Sequence, residues 1–264
     1  MLVFSYLQGT THLVNTADHI LIAGLPKAAT TFIELSIAAT TGLPHIDLCD
    51  TYATEQRLNP EALHRFMQPS GGVGGKHMPA SPLNLALLAA YGIDRVAVLT
   101  RDPRDCIVSQ WHHLNRTVMR DTWRRHIHAA AGLVPMGYYD LPREAQIAAL
   151  VRLTLPRYDA WLRDWLKVSE NGIINIRFIR YEDFVAAREA AIIDILEWFS
   201  RKVDNVIFPP DGEREDGVDS VTNFRRGLVG SFRDELPLPI ARQLDEHVPP
   251  DLRQFYLNRG DGDR

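Results

Sequence analysis

Cysteine is scarce in this chain. Cys49 and Cys106 are the only two and lie far apart, which excludes a disulfide framework and leaves free thiols in a reducing, cytoplasmic setting as the expectation. No apolar run reaches the roughly 20 residues that a helix needs to cross a bilayer, so no membrane partner is expected. Met1 to Val14 is interrupted by Ser5, Gln8, Gly9, Thr10, Thr11 and His12, and no secretory leader is read there. Charge of one sign is not in excess either. The formal net charge is -4 over 264 residues, which argues against a nucleic-acid protein that relies on a basic face. Metal-ligand spacing is missing too: His112-His113 are adjacent and face different sides of a helix, and His126-x-His128 has no cysteine or helix-spaced partner. No zinc site is expected.

What is present is the pattern of an α/β protein, expected as a single domain over 1–264 with 258–264 as a frayed tail. Short apolar runs at Ile20 to Ala23, Arg95 to Thr100 and Ile173 to Ile179 read as buried strands. His45 to Cys49 reads as a short further strand. Helical stretches alternate with them. One runs over 30–41 and ends at Gly42-Leu43-Pro44; others start at Asn59-Pro60 and cover Leu83 to Tyr91. Asp102 caps and Pro103 opens a helix that continues to His113. Leu141 to Val168 follows, with Pro156 as a kink or break, and then a helix over 185–202. Pro69 to Gly75 reads as a flexible connection, 115–142 as an irregular or helical insert, and Pro209 to Asn223 as a loop. Strands alternating with helices imply a central, mostly parallel, doubly wound sheet flanked by helices. Its ligands bind at the carboxyl ends of the strands.

The stretch that organises this pattern is Gly24-Leu25-Pro26-Lys27-Ala28-Ala29-Thr30-Thr31-Phe32. A strand, a tight turn and a helix start aim unpaired N–H groups and the positive helix end at one spot, which makes an anion site. Lys27 adds a movable charge, and Thr30 and Thr31 add hydroxyls. The loop is P-loop-like without being a Walker A loop, because Lys27 follows Gly24 by only three residues and no second glycine precedes it. A P-loop small-molecule or nucleotide kinase remains an alternative. It would need an acidic strand end for Mg2+, and no acidic pair is evident.

This loop resembles the 5′-phosphosulfate loop of the sulfotransferases that use 3′-phosphoadenosine 5′-phosphosulfate (PAPS), commonly Pro-Lys-[Ser/Ala]-Gly-Thr-Thr-[Trp/Phe]. The resemblance spans most of 19–232, in family order. Arg101-Asp102-Pro103-Arg104-Asp105, with Ser109 eight residues after the arginine, is similar to the family's 3′-phosphate segment, which implies that Arg101 and Ser109 bind that phosphate. Tyr181-Glu182-Asp183 follows a strand as in the family, which makes Tyr181 a candidate adenine contact. Phe224-Arg225-Arg226-Gly227 resembles the Arg-Lys-Gly loop over the 3′-phosphate, assigning Arg225, Arg226 and Gly227 there. By the same resemblance Lys27, Ala28, Ala29, Thr30 and Thr31 hold the 5′-phosphate, and Phe32 stands where many members stack a tryptophan on adenine.

Lys76-His77-Met78-Pro79 matches the family's Lys-Thr-His-Leu-Pro at His77 and Pro79, with the lysine one place closer. His77 is the candidate general base, and Lys27 the residue that neutralises charge on the bridging oxygen. The implied reaction is in-line transfer of a sulfuryl group from PAPS to a hydroxyl, or an amine, of a small-molecule acceptor, leaving 3′-phosphoadenosine 5′-phosphate (PAP), with no metal demanded. A non-catalytic nucleotide-binding scaffold is the other alternative. Two departures stand out. Ala29 replaces the loop glycine, so the backbone there is expected to avoid positive φ. Ser231 to Leu236 does not reproduce the dimerisation motif of the cytosolic animal enzymes, and the oligomeric state is left open. The acceptor is not read, although Trp111, Tyr138 and Tyr139 point to a pocket with apolar surface.

Overall fold

The computed structural model describes residues 18–49, 56–116, 121–210 and 227–256, and the backbone of 214–215 and 218–219. Five parallel strands form the central sheet: β1 (His19–Gly24), β2 (His45–Asp47), β3 (Gly72–Lys76), β4 (Arg95–Thr100) and β5 (Asn175–Arg180). Their spatial order is β2-β3-β1-β4-β5. Between them run α1 (Thr30–Thr41), α2 (Pro60–Phe66), α3 (Pro82–Ala90), α4 (Pro103–Leu114), α5 (Thr122–Ala130) and α6 (Arg143–Asn171). After β5 come α7 (Tyr181–Ala186), α8 (Arg188–Trp198), α9 (Phe232–Glu235), α10 (Leu238–His247) and α11 (Arg253–Tyr256).

The apolar runs explain the middle of the sheet. Ile20, Leu21 and Ile22 of β1 and Val96, Ala97 and Val98 of β4 are wholly buried, as strands covered on both faces require. Connections leave β1 toward the β2 side and β4 toward the β5 side. The β1–β4 boundary is therefore the switch point, where a crevice opens outside the carboxyl ends of the strands. A second apolar cluster joins Ile107 and Leu114 of α4, Ile147 and Leu150 of α6, Phe232 and Leu244. Cys49 and Cys106 are buried and form no disulfide.

Two readings of the sequence change here. The glycine-rich stretch read as a flexible connection holds β3, hydrogen-bonded on both sides, with Gly74 opposite Leu21 and Ile46 and Gly75 opposite Ile22 and Asp47. Glycine marks close backbone approach here, not slack: a Cβ on Gly74 would overlap the Ile46 carbonyl oxygen, and one on Gly75 the Ile22 carbonyl oxygen. Pro156 neither ends nor divides α6, which runs unbroken for 29 residues. Burial of Leu155, Tyr158, Trp161, Leu162 and Trp165 along it outweighs the ~3 kcal/mol that an interior proline costs. Tyr138 and Tyr139, read as pocket lining, belong to the second core cluster and also line a cavity with Thr122, Arg125, Pro135 and Met136.

Gly75→Ala is expected to lower stability by about 3 kcal/mol or more, because the new methyl must part β1 from β3. Gly42→Ala, at a left-handed helix cap with open space around it, should cost only about 1 kcal/mol. Urea titrations of the two variants check the contrast.

Candidate active site

Four neighbouring strand ends deliver four of the residues singled out by the sequence. In sheet order they are His77 just after β3, Lys27 after β1, Arg101 after β4 and Tyr181 after β5. The joints between them are direct. Arg101 Nη1 donates to the Lys27 carbonyl oxygen at 2.7 Å, and its Nη2 donates to the Leu228 carbonyl oxygen at 3.3 Å. The guanidinium carbon lies 3.8 Å from the centroid of the Tyr181 ring, a cation–π placement that fixes the plane of the fork. Arg101, Tyr181 and Thr30 are all buried.

The lysine loop is held in an uncommon conformation. Lys27 has φ 72° and Ala29 φ 65°, both left-handed. The expectation that alanine here avoids positive φ is overturned. Each such residue costs on the order of 1 kcal/mol, so the surroundings must impose it. They do: the Ala28 N–H donates to the Leu25 carbonyl at 3.0 Å, the Leu25 N–H donates to the Leu99 carbonyl at 3.0 Å, and the Tyr158 hydroxyl donates to the Pro26 carbonyl at 3.3 Å. Ala29 caps α1 without any side-chain hydrogen bond, which leaves the first N–H groups of the helix to an anion. Gly24 is required beneath, since a Cβ there would overlap Thr30 Oγ1.

Several polar atoms at these strand ends are unmet. Thr30 Oγ1, Thr100 Oγ1 and Arg101 Nε are buried without a hydrogen-bond partner among the described residues. Buried donors and acceptors are seldom left unmet, and phosphate oxygens would satisfy all three. The residues present thus fit an anionic, doubly phosphorylated nucleotide. Phe32, half-buried, has its ring stacked on Phe208 (centroids 5.8 Å apart, planes at 29°) and meets Phe184 edge-on at 6.0 Å. Ser109 lies half-buried two turns into α4. Gly227 has φ 65°, and the segment after it is tied to α4. Asp105 accepts from the Gly230 N–H (2.7 Å), the Ser231 hydroxyl (3.0 Å) and the Phe232 N–H (3.0 Å). Arg225 and Arg226 lie outside the described residues.

His77 is fixed more firmly than a single motif residue would suggest. Its Nδ1 lies 2.7 Å from the Gly24 carbonyl oxygen, and its backbone N–H donates to Gln56 Oε1 at 2.8 Å. A carbonyl can only accept, so Nδ1 carries the proton and Nε2 keeps the lone pair. Asn84 holds the support in place, donating from Nδ2 to the Gln56 and Pro79 carbonyls. Trp161 and Trp165 both donate to the Met78 carbonyl, at 2.9 and 3.3 Å. Burial, with the charges of Lys27 and Lys76 behind it, lowers the imidazole to about 4. Lys76, strained at φ 135°, pairs with Asp47.

Two neighbours of the site were not singled out for it by the sequence. Phe208 covers Phe32 from a coil that carries no motif. His113, considered only as a metal ligand, lies four residues beyond Ser109 on α4, and its ring feels the charge of Lys27 more than any other influence. The helical period from Ser109 is the signal that could have found it. Trp111 donates from Nε1 to Gln146 Oε1 at 2.8 Å and has Arg143 4.9 Å over its ring.

A family model described as the sulfotransferase domain matches residues 17–256. The chain belongs to the sulfotransferase family. Among curated proteins it is similar to cytosolic sulfotransferase 12 of Arabidopsis thaliana, 22% identical over 175 residues. That alignment takes in 58% of this chain and 48% of the relative, so the chain spans about half the length of the curated relative it matches. Its fold is that of mouse sulfotransferase SULT7A1 complexed with PAP: TM-score 0.54, 16% identity, 87% of this chain and 82% of that one. Retinol dehydratase in a complex with retinol and PAP shares the fold at TM-score 0.51 and 15% identity, over 92% of this chain and 83% of that one. No helix among the described residues is long and apolar enough to cross a membrane.

The lowered His77 gives a pH test. Between pH 6.5 and about 4 the unfolded chain protonates this histidine and the folded one does not, so the residue removes stability as pH falls through that window. His77→Gln should lessen the loss of Tm between pH 7 and pH 5 relative to the parent. Parallel melting curves for the two proteins would disprove the placement.

Proposed function

We propose that the chain is a PAPS-dependent sulfotransferase that moves a sulfuryl group to a hydroxyl of a small-molecule acceptor. One observation carries this reading: adjacent strand ends present His77, Lys27 and Arg101 in that order, with unmet polar atoms between them. Arg101 and Ser109 bind the 3′-phosphate, where a guanidinium engages the oxygens in charge-assisted bonds. Thr30, Thr31 and the N–H group of Ala29 hold the 5′-phosphate, while the Ala28 N–H stays on the Leu25 carbonyl and shapes the loop. Phe32 and Phe208 receive the adenine face, and Tyr181 backs the guanidinium. By resemblance to the family's Arg-Lys-Gly loop, Arg225, Arg226 and Gly227 supply a further contact to the 3′-phosphate.

His77 Nε2 takes the proton from the acceptor hydroxyl as that oxygen bonds to sulfur. The bond from sulfur to the bridging phosphate oxygen breaks, and Lys27 neutralises the charge left on that oxygen. Holding His77 neutral well below physiological pH keeps its lone pair ready, at the cost of a weaker base. The nearby Lys27 charge offsets part of that weakness by favouring the alkoxide in the same space. No step calls for a metal ion, because lysine, arginine and helix N–H groups already balance the charge.

The test is transfer of labelled sulfate from PAPS across a panel of hydroxyl and amine acceptors. His77→Ala should lower kcat by about 10²- to 10⁴-fold while the rise in Tm on adding PAP persists. Turnover that survives this change would remove His77 from the chemistry. PAP binding by the parent with no turnover of any acceptor would favour a scaffold.

A further inference from the structure

Ser109 and His113 are four residues apart on α4, so the helix sets their side chains over one face. The start of that helix follows Arg101, which is bonded to the lysine loop. His113 therefore stands one turn further along from the phosphate end of the crevice. Its Nδ1 is sealed from solvent and accepts or donates no hydrogen bond among the described residues. His77 differs, since its Nδ1 is satisfied by Gly24. A ring nitrogen withdrawn from water without a partner carries a penalty that a bound polar group relieves. The charges of Lys27 and Arg116, together with burial, hold the His113 ring neutral, well below its ordinary range. A neutral imidazole offers one donor and one acceptor, which suits a hydroxyl better than a carboxylate or an ammonium.

We propose that His113 is a specificity-determining residue of the acceptor site, hydrogen-bonding through Nδ1 to a second polar group that the acceptor carries beside its reacting hydroxyl. The preferred acceptor class is the vicinal diol, in which one hydroxyl faces His77 and its neighbour satisfies His113. An acceptor with a lone hydroxyl on an otherwise apolar frame leaves Nδ1 buried and unmet, and a site built for a hydrogen bond rejects such an analogue. The inference rests on the sulfotransferase reading above and adds the acceptor chemistry.

The test compares kcat/KM for matched pairs, catechol against phenol and cis-1,2-cyclohexanediol against cyclohexanol, with PAPS as donor. The diol-to-monoalcohol ratio is taken within each protein preparation, so partial loss of folded protein cancels. The parent should favour a diol by at least about tenfold. H113F, which keeps the ring and removes its nitrogens, should bring the ratio near unity. H113N, whose amide places a hydrogen-bonding atom near the position of Nδ1, should retain most of it. An unchanged ratio in H113F overturns the proposal, as does a parent that shows no preference. PAP binding with no turnover of either pair overturns it too. Failure to bind PAP at all would instead overturn the reading beneath it.

Discussion

One hydrogen bond organises the crevice: Arg101 Nη1 to the Lys27 carbonyl oxygen, 2.7 Å. It crosses the switch point of the sheet, joining the end of β4 to the loop after β1. It uses the main chain of the lysine residue, and so fixes the loop without engaging the Lys27 ammonium. The same guanidinium reaches Leu228 and stacks on Tyr181, so one side chain sets three segments from distant parts of the chain. Burying a cation is costly unless its surroundings answer it. Here two carbonyls and an aromatic face do so, and three of its five N–H donors remain for an anion. The grip on a nucleotide and the integrity of the crevice thus depend on the same residue.

Around that joint the protein maintains strain that a relaxed loop would release. Lys27 and Ala29 keep left-handed backbones because a ladder-like bond to Leu99 and the Tyr158 hydroxyl leave the loop no other path. His77 is held at the end of β3 by Gln56, Asn84, Trp161 and Trp165, which come from segments far apart in the sequence. Such supports raise the precision of a site without touching its ligand. Asp105 does the same for the segment after Gly227, with three bonds from one carboxylate.

Much of this was legible in the residues themselves. Apolar runs ending in Gly24 and in Thr100-Arg101 marked two central strands, and Asp102-Pro103 marked the start of α4, because caps and buried strands are written in local sequence. β3 was not legible in the same way. Its glycines look like a loop until the backbones they lie against are known, and only close approach explains them. Ala29 shows a different limit: residue type disfavours a left-handed backbone, yet the tertiary contacts prevail. Phe208 and the supports of His77 come from segments whose partners are remote in sequence, so no spacing rule reveals them. His113 could have been found from its helical distance to Ser109, but only once that serine was tied to a ligand.

The account stands on two adjacent strand ends gripping opposite ends of one doubly phosphorylated adenosine, and the 3′-phosphate is the part that tests it most directly. Thermal melting with PAP and with adenosine 5′-phosphate, both in excess chelator, isolates that group. PAP should raise Tm strongly without metal, and the analogue lacking the 3′-phosphate should raise it far less, because Arg101 and Ser109 then have nothing to hold. Equal shifts with the two nucleotides, or no shift with PAP, would contradict the account.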